Sequence, residues 1–144
     1  MKINRLFPAL VAVLLLLALA PAQTAYQPKF QGDPARSDSE ADALGYVRTF
    51  LRAQRIYKKK NDHYATSLLG LVNTGTFTRR MAATDRGDYT VKFTPHKAKD
   101  TFEIVMIPKQ QDRTRRSFFS DQEGKIRADE QKVADSKSPI LKPD

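Results

Sequence analysis

The segment from residue 40 to about residue 60 constrains the fold most. Its apolar and its basic residues each recur at helical spacing, so they form two well separated faces of a predicted helix. Asp38 or Ser39 is expected to cap this helix, and Glu40 and Asp42 suit the positive end of its dipole. The face expected to be buried carries Ala43, Val47, Phe50, Leu51, Gln54 and Tyr57. The opposite face carries a row of cations, called here the basic stripe, made of Arg48, Arg52, Arg55 and Lys59. Ile56 points toward the basic side and does not fit the pattern.

Three later segments have strand character. Residues 89–93 alternate apolar and polar side chains, residues 101–107 do so more loosely, and residues 117–120 lead into a turn at 121–124. The chain is therefore predicted to be an α+β protein in which one long amphipathic helix packs on a small three-stranded antiparallel sheet. The expected core consists of Leu44, Val47, Phe50, Leu51, Tyr57, Tyr89, Val91, Phe93, Phe102, Ile104, Phe118 and Ile126.

The N-terminus has the composition of an export signal. Lys2 and Arg5 precede an uncharged run from residue 6 to residue 20, and small residues follow. Cleavage is expected after Ala22, with Ala25 as a second position, which predicts a periplasmic or secreted protein. The apolar run is shorter than the roughly 20 residues of a spanning helix. An uncleaved run would instead tether the protein to the membrane.

Composition limits the rest of the chain to one modest domain. The protein has 144 residues, no Cys and two His, which excludes disulfides and leaves little for a structural zinc site. Residues 1–22 are predicted to be the signal peptide, 23–39 a flexible linker, 40–141 the globular domain and 142–144 a tail. The formal net charge is +9, and losing Lys2 and Arg5 with the signal leaves +7.

Two sequence motifs resemble those of a known family. Residues 53–57 read Ala-Gln-Arg-Ile-Tyr within the helix, and residues 64–68 read Tyr-Ala-Thr-Ser-Leu after it. A strand and turn with the sequence Ser-Phe-Phe-Ser-Asp-x-x-Gly-x-Ile-Arg follow from residue 117. In this order, the features are similar to the globular part of type IV pilin-like and pseudopilin-like proteins. The resemblance covers residues 43–140 and implies a pilin-like fold with envelope or secretion-system proteins as partners.

The N-terminal region departs from that family. Pilins and pseudopilins carry a leader cut after Gly, then a Phe-Thr-Leu-Ile-Glu sequence and a long apolar helix that packs into the filament. An ordinary export signal and a hydrophilic segment stand here instead. The resemblance therefore implies the fold and an accessory role beside a secretion or pilus system, without a filament-forming role.

Residues that could support catalysis are few. His63 follows the helix and His96 lies among lysines, and neither is accompanied by a nucleophile motif. Asp121 and Glu123 are the nearest pair of carboxylates, and a polar turn accounts for them. No phosphate-binding loop or dinucleotide fingerprint is present. We therefore expect no enzyme activity, catalytic residues, cofactor or metal.

The basic stripe is the sharpest functional feature. Two further basic clusters, Arg79-Arg80 and Arg113-Arg115-Arg116, add to the same positive field. A solvated helix face is the simplest explanation of the stripe. The functional alternative is a polyanion-binding surface, for DNA, anionic lipid or acidic polysaccharide, with binding that weakens as salt is added. The sequence thus favours an exported, non-enzymatic interaction domain, with polyanion binding as the alternative function.

Overall fold

The computed structural model describes residues 25–142. The predicted signal peptide therefore lies outside the described residues. In this described part of the chain, short 3-10 helices lie in the connections at Leu69–Thr74, Arg79–Ala82 and Lys97–Lys99. The main elements are helix α1 (Asp38–Asn61) and strands β1 (Asp85–Arg86), β2 (Tyr89–His96), β3 (Thr101–Pro108), β4 (Ser117–Asp121) and β5 (Arg127–Asp129).

Helix α1 has a defined cap at each end. Ser37 is the N-cap, in place of the predicted Asp38 or Ser39, and its hydroxyl accepts a hydrogen bond from the Glu40 N–H at 3.2 Å. Ser37 and Glu40 have the spacing of a capping box. At the other end Asp62 adopts a left-handed φ of 60°, and its N–H donates to the Lys58 carbonyl at 2.9 Å. The predicted end of the helix near residue 60 is confirmed.

The prediction of a three-stranded sheet is wrong, because the sheet is a five-stranded antiparallel meander in the order β1-β2-β3-β4-β5. The three predicted segments are its central strands. The two added strands have two and three residues, and charged side chains make up most of them. Neither is long enough to show alternation, so they become strands only because β2 and β4 offer them backbone partners.

The core lies between α1 and one face of the sheet. The predicted core residues Val47, Phe50, Ile104 and Phe118 are completely buried, which confirms the predicted inner face. Tyr57, Phe93 and Ile126 are only partly buried at its margin. A smaller cluster on the other side of the sheet consists of Val105, Phe119 and Ala134, with Ile107 packed against it.

Part of the predicted linker is packed against the domain. Asp33, Pro34 and Ala35 are buried. The Pro34 carbonyl accepts a hydrogen bond from Arg116 Nη2 at 2.6 Å, and Glu40 pairs with the same guanidinium. The composition of residues 23–39 does not reveal this packing, because its partner lies on a distant strand.

Candidate basic binding surface

The basic stripe lies along the solvent face of α1. All four of its side chains are exposed, and they alternate along the helix with the buried side chains of Val47, Phe50 and Leu51. At 1.5 Å per residue, the row from Arg48 to Lys59 is about 16 Å long. The spacing of i, i+4, i+7 and i+11 keeps the four cations on one side of the helix.

No carboxylate pairs with the basic stripe anywhere in residues 25–142. Arg48 makes a cation–π contact with the ring of Phe30, 5.9 Å from the ring centroid, and that ring is itself 55% exposed. The row therefore presents charges that an external anion can reach without displacing an internal one.

Other basic residues are engaged inside the domain. Arg116 is buried and forms a two-pronged pair with Glu40, with Nε–Oε1 and Nη2–Oε2 distances of 2.9 and 2.7 Å. Arg115 pairs with Asp112 through Nη2 at 2.6 Å. Of the three arginines in the predicted cluster at 113–116, two are thus held by internal carboxylates. This cluster adds much less to an anion-binding surface than its composition suggests.

Lys58 also differs from the stripe residues on either side of it. Its ammonium pairs with Asp100 and lies 5.4 Å from the centroid of the Tyr64 ring. The hydrogen bond from Lys58 and that from the Tyr64 backbone N–H, which is 2.8 Å long, lower the pKa of Asp100. Lys58 therefore ties the end of α1 to the β2–β3 connection.

The two sequence motifs at residues 53–57 and 64–68 contact each other in the buried part of the domain. The side-chain amide of Gln54 donates to the Ala65 carbonyl at 3.2 Å and accepts from the Ala65 N–H at 2.9 Å. Gln54 is fully buried and Ala65 nearly so. Because both polar groups of the amide are used, Gln54 joins the helix to the chain that follows it.

The candidate catalytic residues occupy exposed or turn positions. His63 Nδ1 lies 3.0 Å from the Tyr64 carbonyl oxygen, and His96 Nε2 lies 3.8 Å from a carboxylate oxygen of Glu103. Asp121 accepts the Glu123 N–H at 2.9 Å, as a polar turn predicts. Between residues 25 and 142, no cluster of three or more acids and histidines could hold a metal ion.

A cleft that sequence reasoning missed opens between the end of α1 and the 3-10 helix Leu69–Thr74. Its volume is about 260 Å³. The only sequence signal for it is Ile56, an apolar residue next to the basic face. The residues that line the cleft are Ile56, Tyr57, Lys60, Asn61, Gly70, Asn73 and Thr74.

No protein-family model matches the chain, and no curated protein or solved structure shows significant similarity to it. None of the helices between residues 25 and 142 has the length and hydropathy needed to cross a bilayer. The surface features above are therefore the basis for a functional assignment.

Proposed function

We propose that this chain is an exported interaction domain without catalytic activity, and that its basic stripe binds a polyanionic partner. The observation that carries the proposal is the row of four exposed cations with no carboxylate partner in the described part of the chain. A cation already held by a carboxylate, such as Arg115, must give up that contact before it binds an external anion. The stripe residues have no such contact to lose.

The firm packing of α1, the helix that carries the stripe, also supports the proposal. The buried face of α1 is anchored by Phe50, whose ring makes edge contacts with Phe77 and Phe102. Gln54 fixes the next turn through Ala65. Charges on a rigid helix keep their spacing before a ligand arrives, so less conformational entropy is lost on binding.

The decisive experiment neutralises the stripe and compares it with a matched control. The stripe variant changes Arg48, Arg52, Arg55 and Lys59 to Gln. The control changes four other exposed lysines, Lys92, Lys97, Lys99 and Lys137, to Gln, so both variants have the same net charge. Binding of a short DNA duplex and of a hexaglutamate peptide is followed by fluorescence anisotropy over a range of salt concentrations.

We expect the stripe variant to lose most of its affinity for both probes and the control to keep most of its own. For DNA, the slope of log Kd against log salt concentration should fall by about 1 for each stripe cation that contacts a phosphate. Equal losses of affinity in both variants would mean that net charge alone causes the binding. Unchanged binding by the stripe variant would overturn the proposal.

Export and envelope association belong to the same proposal and rest on the sequence. The N-terminal residues suit a cleaved signal, and the pilin-like motifs favour an accessory role beside a secretion or pilus system. The native protein should occur in a soluble envelope fraction and begin at Gln23 or Tyr26. An intact Met1 in the membrane fraction would instead indicate a tethered component.

A further inference from the structure

We infer that the polyanion is a polysaccharide bearing carboxylate groups, and that one of its sugar rings binds in the cleft at the C-terminal end of the basic stripe. This inference rests on the proposed function, since the stripe supplies the charge attraction. It adds a second recognition element made of neutral groups.

The cleft adjoins the stripe on the helix surface. Residues three and four apart on a helix are neighbours, so Ile56 lies beside Arg52 on one side and beside Lys59 and Lys60 on the other. These three cations are exposed, and none of them has an ion pair within the described residues. A polymer lying along the stripe therefore reaches the cleft without a break.

The lining of the cleft offers both apolar contact and hydrogen bonds. Ile56 and Tyr57 contribute half-buried apolar surface on the helix side. Asn73 is exposed, and its side-chain amide makes no hydrogen bond with any described residue. Asn61 donates to the Tyr57 carbonyl at 2.9 Å, which leaves its amide oxygen and its second N–H available.

These groups fit a sugar better than other anionic ligands. An asparagine amide offers donors and an acceptor, and a sugar hydroxyl also donates and accepts. A phosphodiester or a carboxylate only accepts, so it leaves the amide oxygens unused. Ile56 and the partly buried side chain of Tyr57 offer apolar surface to the C–H face of a sugar ring, and Lys60 lines the same cleft and can pair with the sugar's carboxylate.

Nucleic acid and lipid fit this cleft less well. Single-stranded bases bind by stacking on an open aromatic face, whereas the Tyr57 ring is partly buried and meets His63 edge-on at 5.7 Å between centroids. Insertion into a bilayer needs protruding apolar side chains. Ile56 is instead partly buried in a cleft whose other walls carry amides, a hydroxyl and an ammonium group, and the protruding side chains of Leu69 and Phe30 are not among its lining residues.

The test compares two probes that carry six carboxylates each: a labelled alginate hexasaccharide and a labelled hexaglutamate peptide whose C-terminus is amidated. Four proteins are used: the wild type, the stripe variant, Asn73→Ala, and the control Gln122→Ala, which changes an exposed amide in the β4–β5 turn. A fifth, Ile56→Gln, tests the apolar contact independently. Circular dichroism confirms that each variant is folded before binding is measured.

We expect wild type to bind the hexasaccharide more tightly than the peptide at equal salt. Asn73→Ala should weaken hexasaccharide binding by about 2- to 10-fold, the equivalent of one hydrogen bond, without changing peptide binding. Ile56→Gln should also weaken hexasaccharide binding without changing peptide binding. Gln122→Ala should leave the binding of both probes unchanged.

The failure of this inference differs from the failure of the proposed function. If both probes bind equally, and both are lost only in the stripe variant, the stripe binds anions but the cleft does not select a sugar. As a third probe, a labelled single-stranded DNA heptanucleotide with six phosphates is measured under the same conditions. If it binds more tightly than the hexasaccharide, the inference is likewise overturned. If the stripe variant binds both probes as wild type does, the proposed function itself fails.

Discussion

At the scale of single residues, the buried pair of Glu40 and Arg116 decides how the N-terminal segment meets the sheet. Glu40 also accepts the backbone N–H groups of Arg36 and Arg116, at 2.9 and 2.8 Å. Arg116 reaches the Pro34 carbonyl. Burial of two charges brings a large desolvation penalty, so the pair is better understood as a device that specifies this arrangement than as a source of net stability.

Removing one member of the pair should be strongly destabilising. Arg116→Met leaves the Glu40 carboxylate buried without its guanidinium, and we expect a loss of about 3–5 kcal/mol in the free energy of unfolding. Arg113→Met, at an exposed neighbouring position, should change it by less than about 0.5 kcal/mol. Chemical denaturation measures both values. The double variant Glu40→Gln/Arg116→Met should lose less than the two single losses combined, and simple additivity would contradict the coupling.

Two surface aspartates predict how stability depends on pH. Hydrogen bonds from Arg115 and Thr114 lower the pKa of Asp112 to about 2, and those from Lys132 and the Lys137 N–H lower the pKa of Asp135 to about 2. A lowered pKa in the folded state means that their contribution is complete above the unfolded value of about 4 and is lost as pH falls toward 2. Thermal unfolding of Asp112→Asn/Asp135→Asn should therefore show a smaller fall in Tm over that interval. A fall as large as that of the wild type would contradict this assignment.

At the scale of elements, α1 is a helix held by its buried face and its caps, while the sheet depends on how its edges are closed. β5 is covered by the chain that follows it, because the Ala128 N–H donates to the Pro139 carbonyl at 3.0 Å and the Leu141 N–H to the Ile126 carbonyl at 2.8 Å. On the other edge, β1 pairs only with the first residues of β2. Pro95 stands in the part of β2 that β1 leaves open, where it discourages pairing with another chain.

Gly45 offers a direct test of what stabilises α1. An added Cβ at Gly45 would meet no atom within 4 Å. Gly45→Ala should therefore raise the free energy of unfolding by about 0.5–1 kcal/mol, because alanine loses less backbone entropy in a helix. Gly124→Ala is the contrasting variant. Gly124 has a φ of +77°, which an alanine adopts only with strain, so this substitution should lower the free energy of unfolding. A lower free energy of unfolding for Gly45→Ala would show that glycine is needed at this position for a reason other than the stability of α1.

At the scale of the whole molecule, apolar burial and positive charge are divided between opposite faces of one helix. The inner face joins a single aromatic core, in which the Phe50 ring contacts those of Phe93 and Phe102 at centroid distances of 5.3 and 5.5 Å. The outer face carries the basic stripe. The fold can therefore tolerate changes in the basic stripe, because its stability comes from the other side of α1.

The division predicts losses of very different size for two phenylalanines. Phe50→Ala opens a cavity in a fully buried site and should lower the free energy of unfolding by about 3–5 kcal/mol. Phe30→Ala, at a ring that is 55% exposed, should lower it by less than about 0.5 kcal/mol. Denaturant titration distinguishes the two. A loss below 1 kcal/mol for Phe50→Ala would mean that the inner face of α1 is not the centre of the core.

The sequence by itself determined the helix, the three central strands, most of the core and the exposed position of the basic stripe. Each of these follows from a local period, as in Val47, Phe50 and Leu51 on one side of α1 and Arg48 and Arg52 on the other. Periodicity reports which face of an element is buried, and it needs no knowledge of what lies opposite.

Only the tertiary structure decided the edge strands, the packing of residues 33–35, the cleft at Ile56 and which cations are engaged. Glu40 and Arg116 are 76 positions apart in the chain. Nothing in the sequence distinguishes Arg116 from the exposed arginines of the stripe. Whether a charge is paired, or a two-residue segment is a strand, depends on groups that distant parts of the chain bring to it. Local sequence does not contain that information, because such contacts form only when the elements pack together.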